Sequence, residues 1–162
     1  DGTIPELPYW LDQQPAEQLH TFNPYRRVEA ETSNWAYGLK SAKVGFDNTG
    51  VVEKMPFSEG KRNMYIYHVD KDEYIRLRGV DFGEGAKRFT ISTAGTGSAK
   101  LSVRLDSPEG PVVGTVVIKP TGKAEKYRSF KTKVSGAQGV HDLYLCFDEA
   151  EGDVRLDWWK FE

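Results

Sequence analysis

The chain has 162 residues, 22 Lys and Arg against 24 Asp and Glu, and a formal net charge of −2. That length suits one domain burying about 70% of its unfolded surface, and the near-balanced charge gives no field for a phosphate backbone, so nucleic acid is not an expected partner. No apolar run approaches the ~20 residues of a membrane helix, and no charged start is followed by an apolar stretch and a cleavage site, so no membrane partner is expected either.

Residues 1–24, DGTIPELPYWLDQQPAEQLHTFNP, hold four of the eight prolines and little periodicity, and read as a linker or junction. Pro5, Pro8, Tyr9 and Trp10 are too apolar for a solvated tether, so this segment is expected to pack on the domain or on a neighbour. The chain begins at Asp1 without a methionine, which reads as a piece of something longer.

From Tyr25 onward the text becomes short β-patterned runs punctuated by turn residues. Strands are expected at 25–32, 64–69, 74–78, 87–93, 100–106, 112–118, 127–134, 141–147 and 155–161. In KLSVRLD, Leu101, Val103 and Leu105 alternate with Lys100, Ser102 and Arg104, the pattern of a half-buried antiparallel strand. STAGTGSA, DSPEGP and KPTGK supply the turns, and 38–62 reads as a loop region at one end. With no sustained helical period, the expected fold is all-β: a two-sheet antiparallel β-sandwich of jelly-roll type over 25–162.

The first strand contains RVEAET. In extended chain Glu29 and Glu31 share a face about 7 Å apart, and two like charges there need something positive. Hard carboxylate oxygens suit Ca²⁺. First and last strands are often neighbours in a sandwich, which brings Asp157 of RLDWWKFE into range as a third anion. Ion pairing with Arg26, Arg27 or Lys160 accounts for the glutamates equally well, and spacing does not choose between the two.

Enzyme signatures are missing: there is no G-x-S-x-G, H-E-x-x-H or C-x-x-C, and His20, His68 and His141 stand in unrelated contexts. Glu29 and Glu31 make a flat pair rather than carboxylates opposed across a cleft, so glycoside hydrolysis is not expected of them. The single cysteine, Cys146 in HDLYLCF, reads as a buried structural thiol. The aromatic supply is large, 8 Tyr, 8 Phe and 4 Trp. Trp159 and Phe161 are in phase for the core, whereas Trp35, Tyr37, Tyr65, Tyr67 and Tyr127 sit among polar residues and suit stacking on sugar rings.

RVEAET, DEYIRLRGVDFGEGAKRFTIS, KLSVRLDSPEGPVVGTV, GVHDLYLCF and RLDWWKF together resemble a carbohydrate-binding module of family 6, in order from about Asn23 to Phe161. DGTIPELPYW and FNPYRRVEAET look like the junction after the catalytic β-propeller in glycoside hydrolase family 43 arabinofuranosidases and xylosidases. The resemblance implies a jelly roll without catalytic residues, a polysaccharide or oligosaccharide ligand of xylan or arabinoxylan type, and the catalytic domain of a parent chain as partner. It implies an extracellular or periplasmic bacterial hydrolase. It also implies a structural Ca²⁺ held by Glu29, Glu31 and Asp157.

For the sugar cleft, the aromatic of the family's T-G-G-W segment corresponds to Tyr127, and the partner aromatic falls at His68 with Tyr67 beside it. The family's Asn corresponds to Arg155 and its loop Glu to Ala42, so all four positions carry a different residue here. Arg155 offers a forked donor for hydroxyls or for an acidic sugar. A second family surface, on the concave sheet face, would use Tyr74. The rival reading is a structural module with a degenerate cleft that packs against the propeller through Tyr9, Trp10 and Trp35.

Overall fold

A computed structural model describes residues 21–30, 32, 35–37, 40–42, 65–67, 69–124 and 126–162. The strands are β1 Val28–Glu29, β2 Trp35–Tyr37, β3 Lys40–Ala42, β4 Tyr65–Tyr67, β5 Tyr74–Asp81, β6 Arg88–Ala94, β7 Ser98–Leu105, β8 Val112–Ile118, β9 Arg128–Lys133, β10 Val140–Glu151 and β11 Arg155–Phe161. They pair antiparallel into two sheets, one in the order β2-β5-β10-β7-β8 and one in the order β3-β4-β11-β6-β9 with β1 also on β11. The expected all-β sandwich is the fold observed.

Alternation builds each layer. In β7, Ala99, Leu101, Val103 and Leu105 are buried while Lys100 and Arg104 are half-exposed. Facing them, Phe89, Ile91, Leu156, Trp159 and Phe161 are wholly buried on the other sheet. Phe161 packs edge-on against Trp159 and Phe82 with ring centroids 5.8 and 5.1 Å apart, and 4.9 Å from Phe89, distances at which aromatic pairs add to simple burial. Cys146 is buried, and burial pushes its thiol up to about 11, as befits a structural side chain.

Each of the nine expected strands overlaps an observed one, but several ends differ. Among the described residues of 25–32 only Val28–Glu29 forms a strand; beyond it Phe161 N–H donates to the Pro24 carbonyl at 2.9 Å and Ala30 N–H to the Asp157 carbonyl at 2.8 Å. Phe22 already joins the sandwich, with a parallel bridge to Val80. Two strands, β2 and β3, were not expected. Each is three residues long, too short to show a period, and each is held by its partner, β5 for the first and β4 for the second. β3 falls inside the stretch read as loop; residues 43–64 lie outside the described residues.

At the seam opposite β1, the edge strand β8 meets the edge strand β9 of the other sheet. A Cβ at Gly114 would stand 3.1 Å from the Lys133 carbonyl, and Ser135 N–H donates to the Val113 carbonyl at 2.9 Å.

On the outer face of the five-stranded sheet, Arg76 pairs with Asp142 at 2.8 Å, and Gly79 N–H donates to the same carboxylate at 3.0 Å. Burial alone pushes the Asp142 carboxyl up, but these two hydrogen bonds outweigh it and hold it below its ordinary range. A carboxyl with a depressed folded pKa stabilises above its unfolded value and loses that contribution as pH falls through the folded one. Asp142→Asn should therefore cost about 1 kcal/mol at neutral pH, and the gap should shrink as pH falls and the carboxyl takes up its proton. Melting curves of both proteins from neutral to acid pH test this; a constant gap between them would contradict it.

Candidate functional site

Antiparallel register brings four strand ends together. Arg155 begins β11 opposite Ala94, which ends β6; Thr93 lies opposite Arg128, which begins β9; and Leu156 lies opposite Ile66, one residue before the end of β4. Tyr127, Arg155 and Tyr67 therefore share one end of the six-stranded sheet, as the sugar-cleft expectation requires. His68 follows Tyr67 but lies outside the described residues.

Arg155 is more constrained than the sequence suggests. Its Nε donates to both carboxylate oxygens of Asp153, at 3.2 and 3.4 Å, and its Nη1 lies 3.4 Å from the Tyr65 hydroxyl. The guanidinium also stands 5.1 Å from the centroid of the Tyr65 ring, a cation–π contact, and the side chain is only 19% exposed. Asp153 thus supplies a counter-charge for Arg155 that an acidic sugar would have to compete with. Sequence reasoning missed Asp153, although its place two residues before Arg155 was a usable signal.

The tyrosines divide by depth. Tyr65 is 2% exposed and serves as the floor under Arg155, so its expected role as an exposed stacking residue is corrected: flanking residues of a two-residue period share a face, but Arg155 covers this one. Tyr67 is half-buried and packs 5.9 Å from Tyr65. Tyr127 is half-buried as well, with its hydroxyl wholly buried and without a hydrogen-bond partner among the described residues. Burial drives its phenol far above the ordinary range; Asp157, Tyr65 and Asp153 push the same way and Arg155 opposes.

The second site lies where β1 meets β11. Glu29 stands opposite Trp158, and the register of β11 shifts between Leu156 and Trp158, which places Asp157 at the irregularity. Arg27 binds Glu29 through Nε and Nη2 at 2.8 and 3.1 Å, reaches Asp157 Oδ1 at 3.6 Å and lies over the Trp158 ring at 5.5 Å. The arginine of the ion-pair alternative is therefore in place beside both carboxylates. The side chains of Arg27 and Glu29 are 49% and 41% exposed, so their pair contributes little to stability, whereas that of Asp157 is 9% exposed. Burial pushes the Asp157 carboxyl up, Arg27 pulls it down and Glu29 pushes it up again, leaving it above its ordinary range.

Hard carboxylate donors suit Ca²⁺, but 6 to 8 oxygens are needed. No group of three or more His, Cys, Asp or Glu placed to hold a metal occurs among the described residues, and Glu31, the third expected ligand, lies outside them.

On the concave-face candidate, Tyr74 packs against Tyr144 at 5.5 Å, and Arg76 lies over Tyr144 at 5.7 Å. Ala42, at the position of the family's loop Glu, is in β3 opposite Tyr65.

The family model for carbohydrate binding module (family 6) matches residues 21–162. An arabinoxylan arabinofuranohydrolase from Bacillus subtilis is 33% identical over 99% of this chain, which spans only 30% of that protein. A crystal structure of a glycoside hydrolase family 43 arabinoxylan arabinofuranohydrolase from Bacillus subtilis with cellotetraose superposes with a TM-score of 0.75 at 33% identity, over 88% of this chain and 28% of that one. A family 6 carbohydrate-binding module from Clostridium cellulolyticum in complex with xylose does so with a TM-score of 0.71 at 29% identity, over 87% of this chain and 99% of that one.

The buried, unpartnered hydroxyl of Tyr127 has a measurable consequence. Deleting a lone buried hydroxyl relieves desolvation without orphaning a partner, so Tyr127→Phe should stabilise the fold by about 0.5–2 kcal/mol. Urea denaturation checks this; a loss of stability would show that the hydroxyl has a partner.

Proposed function

The chain belongs to carbohydrate-binding module family 6 and is a non-catalytic binding module, and from that premise we propose that it holds xylan or arabinoxylan for a plant cell-wall hydrolase of which it forms one domain. In this reading residues 1–24 are the junction from a catalytic domain and 25–162 the module. The observation that carries it is the meeting of Tyr127, Tyr67 and Arg155 at one end of the six-stranded sheet. A pyranose ring presents apolar C–H faces and a rim of hydroxyls. Half-buried aromatic rings offer flat apolar surface to the faces, and a guanidinium offers donors only, so it meets hydroxyl oxygens as acceptors. The family likeness assigns His68, the residue after Tyr67, to the same platform. The substrate polymer is too large to enter a cell, so the parent hydrolase works in the extracellular or periplasmic space of a bacterium.

Isothermal titration with xylo-oligosaccharides, arabinoxylan, glucuronoxylan and a β-glucan tests this. Xylan-type ligands should give heat, and Tyr127→Ala should weaken binding by about tenfold, the worth of one aromatic contact. Because Asp153 already neutralises Arg155, glucuronoxylan should bind no more tightly than arabinoxylan. Silence across the panel overturns the reading in favour of a structural module that packs on the catalytic domain.

A structural Ca²⁺ at the β1–β11 junction is the second part of the reading, with Glu29, Asp157 and Glu31 as the protein's carboxylates. Its support is that the register brings two hard carboxylates, Glu29 and Asp157, to one junction, where Arg27 reaches both. Such an ion would tie the first strand to the last. A ligand bound only to the folded state stabilises by mass action, so at calcium about a hundredfold above Kd the chain should gain about 2.7 kcal/mol over its chelated form. Equal melting temperatures in calcium and in chelator would overturn the calcium reading.

A further inference from the structure

The segment between β8 and β9, KPTGKAEKY, delivers Tyr127 to the proposed cleft, yet its described residues form no strand or helix. Among its described residues only Thr121 is buried, 6% exposed, while its neighbours Pro120 and Gly122 are exposed. The Thr121 hydroxyl accepts the Gly95 N–H at 3.0 Å and lies 3.2 Å from the carbonyls of both Gly95 and Lys123, either of which can take its one proton. The backbone adds to this. Thr121 and Gly122 N–H donate to the Gly95 carbonyl at 2.9 and 3.3 Å, and Gly95 N–H also donates to the Lys123 carbonyl at 3.2 Å. The segment is folded around Gly95.

Gly95 in turn touches the other half of the cleft. Its φ is +130°, and a Cβ there would lie 2.0 Å from the Asp153 carbonyl oxygen, so this position is closed to any side chain. Gly97 N–H donates to that same carbonyl at 2.8 Å, and Asp153 is the residue whose carboxylate holds Arg155.

We propose that Thr121 is a positioning residue for sugar binding, a latch that fixes the Tyr127 segment to Gly95 and thereby sets the distance between the Tyr127 ring and the Asp153–Arg155 pair. The inference rests on the reading of Tyr127 and Arg155 as the sugar platform. Thr121 itself contacts no sugar. Its hydroxyl is the element that matters, because valine has the same shape and can neither accept from Gly95 nor donate to a carbonyl.

Amide hydrogen exchange and isothermal titration with xylo-oligosaccharides, applied to the whole chain and to Thr121→Val and Thr121→Ser, test the latch. In Thr121→Val the Gly95 amide should exchange about fivefold to tenfold faster while core amides of β10 keep their protection, a local opening rather than global loss. Affinity for xylo-oligosaccharides should fall by a similar factor, and Thr121→Ser should restore both. Unchanged Gly95 exchange in Thr121→Val, or a serine variant that loosens as much as valine, overturns the proposal. Should valine prevent folding, the unmodified chain still decides: a Gly95 amide exchanging as fast as in an unstructured peptide also overturns it. A chain that binds no oligosaccharide defeats the functional reading instead, and the exchange data then judge the latch by themselves.

Discussion

One strand, β11, has to satisfy three neighbours. β6 takes one of its sides along its whole length, while β4 and β1 divide the other, β4 pairing at Leu156 and β1 at Trp158 and Trp159. The irregularity between Leu156 and Trp158 is the physical answer to that demand. A bulge lets the strand bend and frees one residue from the ladder. Trp159 and Phe161 beyond it anchor the strand in the core, so Asp157 and Arg155 on the other side are held by a rigid support. Both candidate sites thus descend from the same strand.

The two sites use charge differently. At the sheet end Arg155 is nearly buried and matched by Asp153, with the Tyr65 ring beneath it, so the guanidinium is a fixed polar wall. At the β1–β11 junction the buried partner is the anion, and its cation is half-exposed and shared with Glu29. Burial amplifies electrostatics in both places.

Much of the fold was legible because the sandwich is built by alternation. Leu101, Val103 and Leu105 announce which face of β7 is inward, and Trp159 and Phe161 do so for β11. Strands that borrow their existence from a neighbour were not legible: Lys40–Ala42 has no pattern of its own and is defined by pairing with β4. The residues of the site were partly readable. Tyr127, Tyr67 and Arg155 were placed at one end by the family likeness and are found there by register. Tyr65 looked equivalent to Tyr67 in one dimension and is not, because only one of them lies under Arg155. Thr121 acts through contacts between segments distant in sequence, which periodicity cannot register.

The seam between β8 and β9 bears on how such a protein behaves in numbers. Gly114 lets the backbone of one edge strand approach the other, and Ser135 occupies the Val113 carbonyl, so part of each edge is engaged. An unprotected edge is a template for another chain. Were copies to gather on a polysaccharide, as the proposed function has it, they would meet edge to edge far more often than in solution. A seam engaged from within would then help each copy to remain a separate folded unit.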